Sequence, residues 1–282
     1  MDKTSNPRLP IMIIIMLGIM TTFGPLTIDM YVPSLPNVQN AFDTTASQVQ
    51  LTLSFAMIGL AVGQFIFGPL SDAYGRKKVA LIIISLYVIA SLIAVFTTSL
   101  SILLTLRLIQ GLTGGGVIVI AKASIGDQHK GKALAKGLAS LLVVNGIISI
   151  IAPLIGGYAL TIANWKAIFL ILTIISFAIL LFAFFKMEET RSRHLSKLNF
   201  SAIFKDFGSL LKKPAFIIPM LLQGLTYVML FSFSSAAPFI TQKIYDMTPQ
   251  QFSILFAING IGLIIVLSLI HISEPTRQEA IS

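Results

Sequence analysis

Eight long apolar stretches, separated by short polar ones, constrain this chain more than any other feature of its sequence. A helix needs about 20 apolar residues to cross the hydrocarbon core of a bilayer. Their apolar residues cover all faces, as expected of helices that are embedded in lipid. The sequence therefore predicts an all-α integral membrane protein with spans at residues 11–31, 48–70, 79–97, 100–121, 133–160, 165–185, 215–239 and 251–270.

The composition excludes a soluble domain. Of the 282 residues, 55% are hydrophobic and only 11% are charged, whereas soluble proteins carry about 25% charged residues. The net charge of +9 is spread over short loops, which favours membrane orientation and predicts no nucleic-acid partner. The absence of cysteine excludes disulfides and thiolate sites. The three histidines lie near predicted loops or span ends, so no metal site is predicted.

The basic residues predict the orientation of the chain in the membrane. All but three of the 20 lysines and arginines lie in or beside the leader, the loops after spans two, four and six, or the tail. Positive charge is retained on the cytoplasmic side of a membrane. The N-terminus is therefore predicted to be cytoplasmic. The three exceptions are Arg107, Lys166 and Lys243.

The only long polar segment after the leader separates six spans from two more. We expect a six-helix bundle at 1–187, a cytoplasmic loop at 188–213, the start of a second bundle at 214–270 and a polar tail at 271–282. The sequence similarity between FAMIG at 55–59 and FAING at 256–260 fits a parallel repeat of six helices.

Two ionisable residues inside the predicted spans are functional candidates, because such groups are expensive in a membrane. Asp29 lies near the predicted outer end of span one, where it is either an interfacial acid or a cavity carboxylate that exchanges a proton for a substrate. Arg107 follows the start of span four by seven residues, which corresponds to a depth of about 10 Å. At that depth a cavity-facing guanidinium with a partner is favoured over a snorkelling one.

Two further segments carry glycine and proline at positions that affect backbone conformation and helix packing. The turn GPLSDAYGRKK at 68–78 joins spans two and three. Its glycines permit positive φ or close backbone approach, and its bases keep it cytoplasmic, although a generic cytoplasmic turn needs only the bases. Span five carries Gly146, Pro153, Gly156 and Gly157, where small residues allow tight packing and proline bends the helix.

These segments together resemble the major facilitator superfamily of transporters. The turn at 68–78 is similar to its helix 2–3 loop, RLIQG at 107–111 to its helix 4 motif, and APLIGG at 152–157 to its helix 5 antiporter motif. DMYVPSLP at 29–36 resembles the helix 1 signature of drug:proton antiporters, especially the bicyclomycin-resistance (Bcr/CflA) type. Ala152 and Ile148 stand where that family often has glycine. The family has twelve helices, so the resemblance implies that this chain is truncated after helix eight. The tail at 271–282 would then result from a truncation, a frameshift or an adaptor sequence.

The resemblance implies a multidrug exporter of a bacterial plasma (inner) membrane that confers antibiotic resistance. Inward proton flow would drive export by alternating access, with protons as coupling ion, no other cofactor, and a monomeric full-length protein. The alternatives are a major facilitator symporter for sugars or organic ions, a non-transporting fragment, and a membrane-embedded enzyme. The spans contain none of the usual hydrolase motifs or clustered acids, so no catalytic residue and no enzyme is predicted.

The resemblance also implies roles for individual residues. The predicted proton-coupling set, in which Arg107 pairs with Asp29 or adjusts its proton affinity, is Asp29, Arg107 and Gln110. The predicted gating loop comprises Gly68, Asp72, Gly75, Arg76 and Lys77, and the predicted antiporter motif comprises Gly146, Pro153, Gly156 and Gly157. Candidate substrate-lining aromatics are Phe23, Tyr31, Tyr227 and Phe231.

Overall fold

Long helices build the protein in a computed structural model that describes residues 11–190, 205 and 207–273. In chain order they are α1 (Ile11–Thr21), α2 (Phe23–Ile28), a 3₁₀ turn (Val32–Ser34), α3 (Leu35–Ala41), α4 (Ala46–Tyr74), α5 (Arg76–Phe96), α6 (Leu100–Gln128), α7 (Gly131–Ile162), α8 (Lys166–Lys186), α9 (Pro214–Lys243) and α10 (Pro249–Ser273). Loop residues 191–204 and the predicted tail beyond residue 273 lie outside the described residues.

The all-α membrane architecture is confirmed. Within the described part of the chain, seven helical segments are long and apolar enough to cross a membrane. They begin with Ile14–Ala41, which combines α1 to α3, and continue with α4 to α9. The eighth predicted span is also helical, as the 25-residue α10.

The first span is longer and more broken than its hydropathy indicates. It continues ten residues past the predicted end, to Ala41, through a break after α1 and a second break around residues 29–31. Prolines within it lack a backbone N–H and interrupt regular helix. The correction matters because Asp29, expected near the outer end, lies close to the middle of Ile14–Ala41.

α4 and α6 pack with their backbones in direct contact. A side-chain carbon added at Gly59 or Gly63 of α4 would overlap a backbone carbonyl of α6, and one added at Gly111 or Gly115 of α6 would overlap a carbonyl of α4. Small residues let membrane helices approach this closely. Gly59 and Gly63, four residues apart on α4, are therefore packing residues of this contact.

α9 contacts the first six spans over only its second half. Apart from Phe216 and Ile217, every residue from position 214 to 230 is exposed, whereas Ser234, Ala237 and Pro238 are buried. Side-chain amides on α9 and α10 then reach backbone carbonyls of the first bundle: Gln242 to Pro33 (2.9 Å) and Gln250 to Gly157 (3.0 Å). These contacts lie at the end of the bundle opposite the turn at 68–78. We call this end the outer end, and the end that contains the turn the basic end.

Candidate functional site

A cavity of about 780 Å³ opens between the first span, α4, α6, α7 and α9. That volume lies within the range of sites that hold drug-sized ligands. Its apolar lining includes Ile28, Leu60, Ile118, Leu141, Tyr227 and Phe231. Its polar lining consists of Thr21, Asp29, Gln64, Lys122, Asn145 and Ser149.

Asp29 enters this cavity from the second break in the first span. Ser149 of α7 lines the same cavity. Among the described residues, no basic side chain forms an ion pair with Asp29. A carboxyl group that faces a cavity near the middle of a span can take up a proton or bind a donor group of a ligand.

Only two of the four candidate aromatics line the cavity. Tyr227 and Phe231 do so, and their rings stack with centroids 5.9 Å apart. Phe23 is buried against Tyr87, edge to face at 4.7 Å. Tyr31 is buried beside Phe169, with centroids 5.6 Å apart. Phe23 and Tyr31 are therefore packing residues in this arrangement.

Arg107 is sealed inside the bundle and does not line the cavity, contrary to the expectation from its depth. Its guanidinium carbon lies 4.4 Å from the centre of the Tyr31 ring. Its Nη1 donates to Gln110 Oε1 (3.1 Å), and its Nε donates to the Thr52 carbonyl (3.4 Å). A planar guanidinium combines stacking and directed hydrogen bonds in this way.

The buried cluster around Arg107 includes Gln110 but not Asp29. Gln110 Nε2 donates to Ser91 Oγ at 2.8 Å, which ties α6 to α5. Arg107 Nη2 has no hydrogen-bond partner within the described part of the chain, and Arg107 forms no ion pair with Asp29 there. The structure thus brings Arg107 and Gln110 together and leaves Asp29 in a separate site.

The turn at 68–78 forms an ionic network at the basic end. Gly75 adopts φ +98°, a conformation that favours glycine. Arg76 is buried and forms ion pairs with Asp72 and with Asp127 of α6, the latter at 3.0 Å. Gly68 lies nearby against Val119. The network locks the α4–α5 turn to the end of α6.

Glu189, just after α8, caps the first turn of α5. Its carboxylate accepts the backbone N–H of Arg76 (2.8 Å) and of Lys77 (3.1 Å). An anion at a helix N-terminus satisfies free N–H groups and complements the helix dipole. Thr190 also donates to Asp127, at 3.2 Å. The turn at 68–78 is therefore bound both to α6 and to the segment that follows α8.

The α7 motif contacts two neighbours. A carbon added at Gly156 would overlap the Met30 carbonyl of the first span, and one added at Gly157 would overlap Ser253 of α10. Pro153 is buried within the same helix, whereas Gly146 has no neighbouring atom within 4 Å of such a carbon. Three of the four motif residues thus belong to packed surfaces of α7.

Sequence reasoning missed several residues of these sites. The charge pattern groups Lys122 with the cytoplasmic bases after span four, but α6 continues to Gln128 and leaves Lys122 on the cavity wall. Gln64 and Asn145 are amides inside apolar spans, and their polarity is the signal that marks them. Asp127 was detectable as the acid among the bases after span four. No local signal indicated that Glu189 would cap α5.

Secondary transporters are built as membrane-spanning helix bundles around a central cavity, which is the arrangement seen here. The Major Facilitator Superfamily matches residues 15–273, and the chain belongs to this family. The crystal structure of a D-xylose-proton symporter aligns with a TM-score of 0.70 at 16% identity, over 94% of this chain and 69% of that one. This likeness shows the shared fold.

Two curated relatives are bacterial. A Bacillus subtilis (strain 168) protein described as an uncharacterized MFS-type transporter, YdgK, is 37% identical over 93% of this chain and 66% of its own length. A bicyclomycin resistance protein homolog of Haemophilus influenzae is 28% identical over 89% of this chain and 63% of its own length. The chain thus spans less than two thirds of the length of these relatives.

Proposed function

We propose that this chain exports drugs or other small amphiphiles from bacteria in exchange for protons, as a transporter of the bicyclomycin-resistance type. One observation carries the proposal: a mid-span carboxyl group, Asp29, faces a cavity of drug size without a basic partner among the described residues. Such a group can bind either a proton or a substrate donor group, which is what exchange requires. The bicyclomycin resistance protein homolog supports the choice of substrate class.

The contacts of α9 and α10 support transport by alternating access. They close the outer end through Gln242 and Gln250, while the first half of α9 is exposed. With the basic end on the cytoplasmic side of a bacterial inner membrane, as the positive charges favour, the cavity opens to the cytoplasm. When the cavity closes at the basic end and opens at the outer end, a bound substrate is carried out of the cell.

The roles of the remaining residues follow from their positions. Asp29 takes up and releases the proton, and the Arg107–Gln110 cluster holds the first span in place through Tyr31. The Arg76 network with Asp72 and Asp127 stabilises one of the two access states at the basic end. Gly157 of α7 forms part of the contact with α10, over which the two halves move.

The test is efflux by drug-hypersensitive bacteria that express the gene. Ethidium and chloramphenicol accumulation would be measured before and after a protonophore collapses the proton gradient. We expect cells that express the protein to accumulate less of each compound than cells without it. The protonophore and Asp29→Asn should each abolish this difference. Asp246→Asn is the matched control, because Asp246 lies in the α9–α10 loop at φ 52°, a conformation that asparagine tolerates.

Two results would contradict the proposal. Equal drug accumulation in cells that carry the protein in their membrane and in cells that lack it would exclude export by this chain. Protonophore-sensitive efflux that survives Asp29→Asn would exclude Asp29 as the proton carrier.

A further inference from the structure

Lys122 brings a second charge into the cavity. It lies within the last two turns of α6, and its side chain is exposed on the cavity wall. In the described part of the chain it has no ion-pair partner. Its ammonium group has three hydrogen-bond donors and no acceptor, so it can bind an anionic or acceptor group of a ligand that enters the cavity.

Lys122 and Asp29 lie at opposite ends of the cavity. A side-chain carbon added at Gly114 of α6 would lie 3.5 Å from Phe23 Cβ of the first span, so these two residues are at the same depth. The two segments run antiparallel. From that level Lys122 is eight residues toward the basic end, and Asp29 is six residues toward the outer end. At 1.5 Å per residue their backbones are about 21 Å apart along the bundle.

The wall between the two charges is mainly apolar. Leu141, Tyr227 and Phe231 contribute to it. Asn145 and Gln64 also line it, but their side-chain N–H groups already donate to backbone carbonyls, that of Thr21 at 2.8 Å and that of Leu60 at 3.2 Å. The cavity thus presents a positive end, an apolar middle and a negative end. A ligand matched to it has an apolar body with an acceptor at one end and a donor at the other.

We propose that Lys122 is a specificity residue, which makes the cavity select zwitterionic or bipolar amphiphiles over lipophilic cations. This inference rests on the proposed function, because it concerns the same cavity. A monovalent cation is attracted by Asp29 and repelled by Lys122. A zwitterion of suitable length engages both charges, and its anionic end supplies the acceptors that Lys122 lacks.

The experiment compares two dyes that share one xanthene body. Rhodamine 6G is a cation whose carboxyl group is blocked as an ethyl ester, whereas rhodamine B has a free carboxylate that makes it a zwitterion at neutral pH. Binding of each dye to the purified full chain in lipid nanodiscs would be followed by fluorescence polarisation. We expect the protein to bind rhodamine B about tenfold more tightly, the effect of one charge-assisted contact.

Variants assign the preference to Lys122. Lys122→Gln is expected to remove the preference for rhodamine B and to leave or improve binding of rhodamine 6G, whereas Lys122→Arg retains the preference. Lys132→Gln is the matched control, because Lys132 is exposed at the start of α7 and does not line the cavity. An unchanged affinity for rhodamine 6G also shows that Lys122→Gln is folded.

Each outcome decides the question. If both dyes bind equally well, or if Lys122→Gln keeps the preference, the specificity role is overturned while a ligand-binding cavity stands. If neither dye binds, the specificity role is overturned, and the efflux assay decides separately whether the chain exports drugs.

Discussion

The guanidinium carbon of Arg107 lies 4.4 Å from the centre of the Tyr31 ring, at a site closed to solvent. Tyr31 lies in the same break as Asp29, so Arg107 contacts the first span at the point where it leaves regular helix. Arg107 therefore acts on the cavity through the backbone of the first span and not by contact with the cavity itself.

Arg107→Lys is expected to destabilise the protein, since lysine has no planar fork to stack on Tyr31 while bonding Gln110. The loss of a charged hydrogen bond and of part of the cation–π contact is worth about 2 kcal/mol. Thermal unfolding in detergent would measure it. The cost should persist in a Tyr31→Phe background, which keeps the ring, and shrink in Tyr31→Leu. An equal cost in both backgrounds would show that the ring contributes nothing.

Gly63→Ala is expected to destabilise the α4–α6 contact, because the added methyl group overlaps the Leu112 carbonyl. Forcing such a group into a packed interface costs about 1–3 kcal/mol. Gly146→Ala makes the same change in α7, where no atom lies within 4 Å, and should be neutral or slightly stabilising. Thermal unfolding of the two variants side by side tests this. Similar unfolding temperatures would contradict the α4–α6 packing described here.

Glu189→Ala is expected to weaken the start of α5, because two backbone N–H groups lose their acceptor. Loss of a helix cap costs about 1 kcal/mol. Protease cleavage in the α4–α5 turn should become faster, and the unfolding temperature should fall. Glu188→Ala is the control, because Glu188 is an exposed neighbour that accepts neither N–H group. Equal protease sensitivity in the two variants would argue against the cap.

Gln242→Ala is expected to open the outer end of the cavity, since it removes the hydrogen bond to the Pro33 carbonyl. The chain has no cysteine, so a single Leu142→Cys on the cavity wall reports access without background labelling. Labelling of intact cells by an impermeant maleimide should rise severalfold in the Gln242→Ala background. Ser176→Cys, buried in α8, is the negative control. Unchanged labelling at residue 142 would show that Gln242 does not hold the outer end closed.

Much of the fold could be predicted from the sequence because hydropathy is a local property. The positions of seven spans and the helical nature of the eighth follow from runs of apolar residues, each of which must form helix in a bilayer. The glycines of α4 were likewise predictable as packing residues, since small residues mark close helix contacts.

The tertiary structure alone decided how these helices assemble the site. The first span continues to Ala41, so Asp29 lies near its middle instead of at its outer end, and Arg107 packs against Tyr31 away from the cavity. Extension of α6 past its apolar stretch brings Lys122 to the cavity wall, while Glu189 reaches α5 across more than a hundred residues. Hydropathy determines which residues enter the membrane. Which of them face one another depends on contacts between distant segments, and no local pattern encodes those.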